Sequence, residues 1–160
     1  MIYHNKEILK QKKIISKLAK YCSFSERSSF DIKKKLFDWK IHNNHDEIIS
    51  HLIENDYINE ERYAIAYSIG KFNTKKWGKQ KIYNNLKVKG IDNELILKSL
   101  DEIPENIYLE TISELILKKF KNIKEKNIFK KNAKIVRFLM QKGFESDLIW
   151  QQIKKNIQND

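Results

Sequence analysis

The chain has little of the residues that build disulfides, hairpins and strands. Its 160 residues include one cysteine, one proline and four glycines. A lone cysteine cannot form an internal disulfide, and Cys22 falls on an apolar position of a helical pattern. We therefore interpret it as a packing residue in a reducing compartment. Because hairpins depend on glycine-rich turns, so few glycines lead us to expect mainly helix.

The sequence also lacks a long apolar run. No segment approaches the roughly 18 apolar residues of a membrane span. The N-terminal residues MIYHNKEILKQKK are amphipathic and do not form the apolar centre of a signal peptide. We expect a soluble cytoplasmic protein with no membrane partner. Its length allows a core that buries about two thirds of the unfolded surface without a disulfide or a metal.

Positive charge is in clear excess. Lys and Arg number 32 against 21 Asp and Glu, which gives a net charge of +11. Such a balance favours a polyanionic partner. All but three of these cations are lysine, however, and the chain is also rich in Asn and Ile. An AT-rich genome can impose that bias without a binding role, so charge alone does not establish a nucleic-acid partner.

The most informative stretch runs from Trp77 to Leu100. Ile82 and Leu86 are four residues apart, so they share one face of a helix. Gly90 can end this helix in the left-handed conformation. Asp92 can then cap a second helix through its carboxylate. The stretch thus predicts a helix, a tight turn and a second helix.

This pattern recurs elsewhere in the chain. At an offset of 53 residues the apolar and glycine landmarks reappear as Ile135, Leu139, Gly143 and Ile153. At an offset of 50 in the other direction, a looser copy appears as Ile32, Leu36 and Ile41. Any two amphipathic helices look alike, but three ordered copies favour tandem duplication.

We therefore predict an all-α fold of three tandem three-helix repeats in an elongated, curved array, either right- or left-handed. The repeats are expected at residues 1–56, 57–103 and 104–160.

Local signals place several helix ends. Ser28 and Asp31 have the form of a capping box for the second helix, and Asn59 can cap the fourth. Pro104 is expected in the first turn of the seventh helix. Residues 121–131 are expected to form a loop, and Trp150 is expected to be buried in the last helix.

Motifs for catalysis or ligand binding are missing. The sequence has no glycine-rich phosphate loop, no Cys-x-x-Cys, no His-Glu-x-x-His and no nucleophile elbow. His42, His45 and His51 match no closed zinc site. No two carboxylates are set to drive their pKa values apart. We expect no enzymatic activity, no cofactor and no metal.

Three motifs, in order, resemble those of the RecX family of bacterial RecA regulators. Residues 27–32, RSSFDI, resemble Arg-Ser-x-x-Glu-Leu, and residues 57–64, YINEERYA, resemble Tyr-Leu-Asn-Asp-x-Arg-Phe-Ala. Residues 78–91 resemble Gly-x-x-x-Ile-x-x-x-Leu-x-x-Lys-Gly-Ile. Coverage runs from about residue 20 to residue 155. The departures are mild: Asp56 stands for a glycine, Glu60 for an aspartate and Tyr63 for a phenylalanine.

The resemblance implies a curved helical molecule that lodges in the groove of a RecA filament on single-stranded DNA. It would limit filament growth, strand exchange and RecA-stimulated repressor cleavage, in recombination, DNA repair and the SOS response. The DNA would be contacted within the filament. We also expect a monomer. A curved array with spread positive charge could span adjacent filament protomers and gain avidity from several modest contacts.

The predicted contact residues are basic residues of the central repeat, with one from the first repeat: Arg27, Arg62, Lys71, Lys75, Lys76, Lys79, Lys81 and Lys89. Each would offer charge-assisted hydrogen bonds to filament carboxylates or DNA phosphates. For Arg27 and Arg62, bracing of helix ends is an equal alternative. Two other functions stay open. One is autonomous DNA binding through helix-turn-helix modules, and the other is a protein-binding adaptor to which nucleic acid is indifferent.

Overall fold

The computed structural model describes the backbone of residues 2–157 and the side chains of residues 8–157. Within that part all regular structure is helical, which confirms the all-α prediction. The helices are α1 (Ile2–Ser23), α2 (Ser29–Asp38), α3 (His45–Glu54), α4 (Glu60–Lys75), α5 (Lys79–Val88), α6 (Asn93–Asp101), α7 (Glu105–Asn122), α8 (Ile128–Gln141) and α9 (Ser146–Ile157). None of these helices is long and apolar enough to cross a membrane.

The predicted capping residues occupy their predicted places. Ser28 Oγ accepts from the Asp31 amide at 3.2 Å, and the Asp31 carboxylate accepts from the Ser28 amide at the same distance. Asn59 Oδ1 accepts from the Arg62 amide at 3.0 Å. Asp92 Oδ1 accepts from the Glu94 amide at 2.9 Å. These side chains satisfy backbone donors that the helices leave free.

The turn after the second helix of each repeat uses the left-handed conformation. Gly90 has φ +76° and Gly143 has φ +92°. Lys40 occupies the corresponding position of the first repeat, 50 residues before Gly90, with φ +57°. A side chain with a Cβ is strained there. The first repeat therefore keeps the turn without the glycine, which explains why its sequence match is looser.

The loop predicted at residues 121–131 is shorter than expected. Helix α7 continues to Asn122, and α8 begins at Ile128. Asn127 caps α8, because its Oδ1 accepts from the Lys130 amide at 3.1 Å. The predicted helix start is too late because the lysine-rich composition of this segment indicates a loop, although the segment contains the capping residue Asn127.

Two other predictions near helix ends need correction. Trp150 is 40% exposed, because Ile149 and Ile153 occupy the inward positions of α9 and are fully buried. Pro104 lies one residue before α7, at the N-cap, and the helix itself begins at Glu105.

The apolar interior formed by the described residues is divided into two cores. The first repeat has its own core, with the buried members Leu18, Cys22, Ile32, Leu36, Ile48, Ile49, Leu52 and Ile58. Cys22 belongs to it, as predicted. The second and third repeats share one larger core whose buried members run from Tyr63 to Ile153. The repeats are therefore not equally coupled, because apolar packing joins only the last two into one body.

Polar side chains join the first and third helices within both the second and the third repeat. Ser68 Oγ on α4 lies 2.9 Å from Ser99 Oγ on α6. Ser113 Oγ on α7 donates to Gln152 Oε1 on α9 at 2.8 Å. On the third helices, Ser99 and Gln152 occupy corresponding positions at the offset of 53 residues, whereas Ser68 and Ser113 on the first helices are 45 residues apart.

Candidate functional site

The first and second repeats meet through charged side chains. Arg62 at the start of α4 donates from Nε to Glu26 Oε1 at 2.9 Å and from Nη1 to Asp56 Oδ1 at 2.7 Å. Lys89 Nζ lies 2.6 Å from Asp31 Oδ1, and both side chains are about one fifth exposed. Two of the predicted contact residues, Arg62 and Lys89, therefore neutralise carboxylates of the chain itself and brace the joint between repeats.

The Lys89–Asp31 pair holds both groups in their charged forms. Burial alone would raise the pKa of Asp31, but hydrogen bonds from Lys89 and from Ser28 outweigh it, so this pKa lies below its ordinary value. Burial alone would lower the pKa of Lys89, but hydrogen bonds with Asp31 and Tyr63 raise it above its ordinary value. Tyr63 borders the pair, and burial raises its pKa to about 12.

Arg27 has a different environment. Its guanidinium carbon lies 4.1 Å from the centroid of the Tyr21 ring, and Lys35 Nζ lies 5.2 Å from the same centroid. Its Nε is buried without a hydrogen-bond partner. Among the described residues no carboxylate forms a salt bridge with Arg27 or Lys35. Arg27 is thus held in place by a ring and not by a charge.

The remaining five predicted residues lie where α4 ends and α5 begins. We call them the central lysine cluster: Lys71, Lys75, Lys76, Lys79 and Lys81. Within the part of the chain that the structure describes, none of the five forms a salt bridge. The structure therefore separates the eight predicted residues into two paired cations, one stacked arginine and five lysines without an intramolecular carboxylate.

Aromatic rings order most of this cluster. Lys71 Nζ and Lys81 Nζ lie 5.3 and 4.8 Å from the centroid of the Trp77 ring. Lys76 Nζ lies over Phe72 at 5.7 Å, and Lys79 Nζ lies over the Tyr108 ring at 5.2 Å. Such cation–π contacts fix a flexible side chain without neutralising its charge. The positive charge of the cluster therefore stays available to an anionic partner.

The third repeat adds a lysine that sequence reasoning missed. Lys142 Nζ donates to the Lys75 carbonyl at 3.2 Å, so its ammonium lies beside the central lysine cluster. A signal was present in the repeat itself: Lys142 precedes Gly143 as Lys89 precedes Gly90, 53 residues earlier.

The N-terminus of α5 is not available to an anion. Its first amides are bonded to the third repeat: Gly78 N donates to the Lys142 carbonyl at 2.8 Å and Gln80 N to the Gly143 carbonyl at 3.1 Å. Lys79 N donates to Tyr108 Oη at 2.9 Å. Backbone amides at a helix N-terminus often bind phosphate when they have no protein partner. Here an anion must be bound by side chains.

The three central histidines have protein neighbours. His45 Nε2 lies 2.7 Å from the Ile41 carbonyl oxygen, and His51 Nε2 lies 3.4 Å from Asn55 Nδ2. No group of three or more His, Cys, Asp or Glu side chains in the described part is placed to hold a metal ion.

Family models match most of the second and third repeats. The model for RecX, second three-helix domain, matches residues 59–100, and the model for RecX, third three-helix domain, matches residues 106–153. Together they span more than half of the chain.

Curated proteins give the same result. The chain is similar to "Regulatory protein RecX" of Bacillus thuringiensis (strain Al Hakam), with 30% identity over 152 residues that cover 92% of this chain and 54% of that protein. It is 32% identical over 103 residues to the protein of the same name from Bacillus mycoides (strain KBAB4), which covers 64% of this chain and 38% of that protein. The chain thus spans about half the length of the curated relatives it matches.

Solved structures share the fold. A crystal structure of regulatory protein RecX superposes with a TM-score of 0.84 and 25% identity over 99% of this chain and 78% of that one. The crystal structure of RecX from Lactobacillus salivarius gives a TM-score of 0.79 and 29% identity over 91% of this chain and 95% of that one.

Proposed function

The chain belongs to the RecX family, and from that premise we propose that it is a non-enzymatic regulator of RecA. It binds in the groove of the RecA filament on single-stranded DNA and inhibits or modulates RecA in recombination, DNA repair and the SOS response. It acts in the cytoplasm as a monomer and contacts the DNA within the filament.

The observation that carries this proposal is the central lysine cluster. Its five lysines lie around the junction of α4 and α5 without salt bridges to described carboxylates, whereas Arg62 and Lys89 of the same repeat are paired. Unpaired surface cations destabilise a fold slightly through repulsion, so their concentration on one surface is typical of a site for an anionic partner. RecA carboxylates and DNA phosphates both have the required charge.

The repeated architecture suits a polymer. A filament offers the same groups at regular intervals, and tandem repeats offer similar surfaces at regular intervals in turn. Several weak contacts then act as one strong contact, because after the first contact the others are intramolecular. Inhibition needs no chemistry, since a body in the groove obstructs strand exchange and filament growth.

The test compares binding of the full chain to three targets: RecA alone, single-stranded DNA alone, and the nucleotide-bound filament. We expect the tightest binding to the filament, together with inhibition of its ATPase activity. Equal affinity for filament and bare DNA, without inhibition, would refute the proposal.

Charge reversal tests the cluster within that function. The triple variant Lys75→Glu, Lys76→Glu, Lys79→Glu should lose most of its inhibition while its helical content stays unchanged. The matched control reverses three exposed lysines of the third repeat, Lys118, Lys121 and Lys124, and should inhibit nearly as well as the parent. If both variants inhibit equally, the cluster is not the contact surface.

Duplex DNA, added as a fourth target of that binding experiment, tests an autonomous DNA-binding function. Helices α5 and α6 are joined by a four-residue turn with Gly90 in the left-handed conformation, the connection found in helix-turn-helix proteins. This function predicts tight, sequence-selective binding to duplex DNA without RecA and a steep dependence on salt.

A further inference from the structure

We infer that Tyr21, Arg27 and Lys35 form an anion-binding site in the first repeat, equivalent to the one around Trp77 in the second. The geometry points to the phosphate backbone of a nucleic acid strand as the ligand that both sites hold together. The inference rests on the proposed function for the identity of this polyanion, but it concerns direct contact with the strand, which can be measured without RecA.

The repeat register places one ring–cation pair of each site at the same two positions, whereas the second cations, Lys35 and Lys81, lie at different positions. The offset of 50 residues that relates α2 to α5 also relates the ends of α1 and α4. It pairs Ser28 with Gly78, which are the N-caps of α2 and α5. It also pairs Cys22 with Phe72, each buried in the core of its own repeat. The junction of the first and second helices is thus aligned in both repeats, although α4 packs more closely on α5 than α1 does on α2.

At this register Tyr21 corresponds to Lys71, and Arg27 corresponds to Trp77. The structure puts a cation over a ring in both cases: Arg27 lies 4.1 Å from the Tyr21 centroid, and Lys71 lies 5.3 Å from the Trp77 centroid. The cation and the ring have exchanged positions between repeats, yet the contact is kept. The cation–ring contact is thus present at this junction in both repeats, whichever of the two positions holds the cation.

Each ring also holds a second cation. Lys35, from the middle of α2, lies 5.2 Å from the Tyr21 centroid, and Lys81, from the first turn of α5, lies 4.8 Å from the Trp77 centroid. Two cations at one ring repel each other, and no salt bridge in the described part of the chain relieves either pair. A phosphate between the two cations would relieve this repulsion at both sites.

Arg27 is especially suited to such a ligand. Because its guanidinium stacks on Tyr21, its plane is fixed before any ligand arrives, and a fixed fork of donors matches two phosphate oxygens. No acceptor within the described residues takes a hydrogen bond from the Arg27 side chain. Its neighbour Glu26 is bonded to Arg62 instead.

The aromatic rings beside the cations at these sites favour a nucleic acid strand over a protein surface. The third repeat also has a cation over a ring near the junction of its first two helices, at positions outside this register: Lys131 Nζ lies 3.6 Å from the Phe120 centroid. Phosphates of a strand and carboxylates of a filament both recur at intervals, but only a nucleic acid also brings bases that can stack beside aromatic rings. Cations interleaved with aromatic rings are also the usual lining of sites for single-stranded nucleic acid.

The test measures binding of fluorescent oligothymidylate to the full chain by anisotropy over a range of salt, with RecA absent. The variant Arg27→Gln/Lys35→Gln should lower the affinity about tenfold and reduce the log–log salt slope by about 1.4, the value for two lost phosphate contacts on a single strand. Lys71→Gln/Lys81→Gln should do the same. The control Lys33→Gln/Lys98→Gln removes the same charge from lysines in exposed salt bridges and should leave the slope nearly unchanged.

Length dependence tests the joint action. On an oligonucleotide too short to reach both sites, the two double variants should each cost little. On an oligonucleotide long enough to span both sites, each double variant should lower the affinity by the full factor of about ten, because binding at two sites at once is lost. Lys35→Gln alone leaves the Arg27–Tyr21 stack intact and provides a variant that does not disturb the helix junction.

An unchanged salt slope in a folded Arg27→Gln/Lys35→Gln variant would overturn the inference. So would a variant that binds DNA normally but binds the RecA filament poorly, since the site would then take protein carboxylates. In that second case the proposed function would stand. Failure of the proposed function is recognised separately, as a parent chain that shows no preference for the filament.

Discussion

Gly78 and Gly143 touch backbone to backbone at the joint between the second and third repeats. A Cβ built on Gly78 would lie 2.2 Å from both the carbonyl carbon and the carbonyl oxygen of Gly143. The adjacent amide of Gln80 donates to that same oxygen at 3.1 Å. The joint therefore depends on the absence of a side chain at both positions, whereas the joint between the first and second repeats depends on ion pairs.

Substitution at Gly78 tests this close approach. Gly78→Ala should destabilise the chain by about 1–3 kcal/mol, because the added methyl meets backbone that cannot move aside cheaply. Gly70→Ala is the matched control: it lies inside α4 with nothing within 4 Å of the added atom. This change should stabilise the chain by about 0.5–1 kcal/mol through its better helix propensity. Urea unfolding measures both; equal effects would contradict the prediction.

The charged joint can be tested at Lys89. Lys89→Met leaves Asp31 about one fifth exposed and unpaired, so we expect a loss of about 1–3 kcal/mol, between the values for exposed and buried pairs. Lys98→Met breaks the more exposed pair with Glu61. It should cost less than about 0.5 kcal/mol. Thermal unfolding of the two variants provides the comparison, and a larger loss for Lys98→Met would contradict it.

The same pair predicts a dependence on pH. The pKa of Asp31 is lowered in the folded chain. Its contribution to the free energy of unfolding is therefore complete above the pKa of the unfolded chain, about 3.9, and is lost as the pH falls through the pKa of the folded chain. The pKa of Lys89 is raised, so its contribution is complete below about 10.4 and is lost above its folded value. The stability difference between the parent and Asp31→Asn should thus be constant at neutral pH and shrink in acid. A difference that grows in acid would oppose this assignment.

Tyr108 links the second repeat to the third. Its hydroxyl accepts from Lys79 N at 2.9 Å and donates to Glu145 Oε2 at 2.6 Å, and its side chain is 2% exposed. Tyr108→Phe should cost about 1–3 kcal/mol, because a helix amide loses its partner in a buried place. Tyr83→Phe removes an exposed hydroxyl that donates to Asn93 and should cost less than about 0.5 kcal/mol. Denaturant unfolding of both single variants measures the contrast.

Separate cores predict separate local unfolding. Leu36 and Leu86 occupy equivalent positions, and both are fully buried, one in each core. Each change to Ala should cost about 2–5 kcal/mol. By hydrogen exchange with mass spectrometry, Leu36→Ala should accelerate exchange in α1–α3 and leave α7–α9 protected. Leu86→Ala should accelerate exchange in α4–α9 together. Uniform acceleration by either variant would show that the chain unfolds as one unit.

Local features of the fold were predictable because their causes are local. Asn59 and Asp92 cap helices that begin immediately after them, and Gly90 makes its turn within a few residues. The repeat would also have corrected one error: Leu97, 53 residues before Trp150, is itself half exposed.

Pairing across the joints was not predictable. Hydrophobic periodicity shows which face of a helix is apolar, but it does not show which element covers that face. Lys89 looked like any lysine at the end of a helix, and only the fold brings it to Asp31, 58 residues away. In the same way, nothing local distinguishes the paired Arg62 from the stacked Arg27.

The two-core arrangement also bears on how the chain is made. The buried members of the first core lie between Leu18 and Ile58, so a nascent chain can close it soon after that segment has left the ribosome. The second core draws on residues as far as Ile153. Domains usually fold in the order of their synthesis, and the apolar surface of α4 to α6 that packs in the shared core must therefore wait, uncovered, until α7 to α9 have been made.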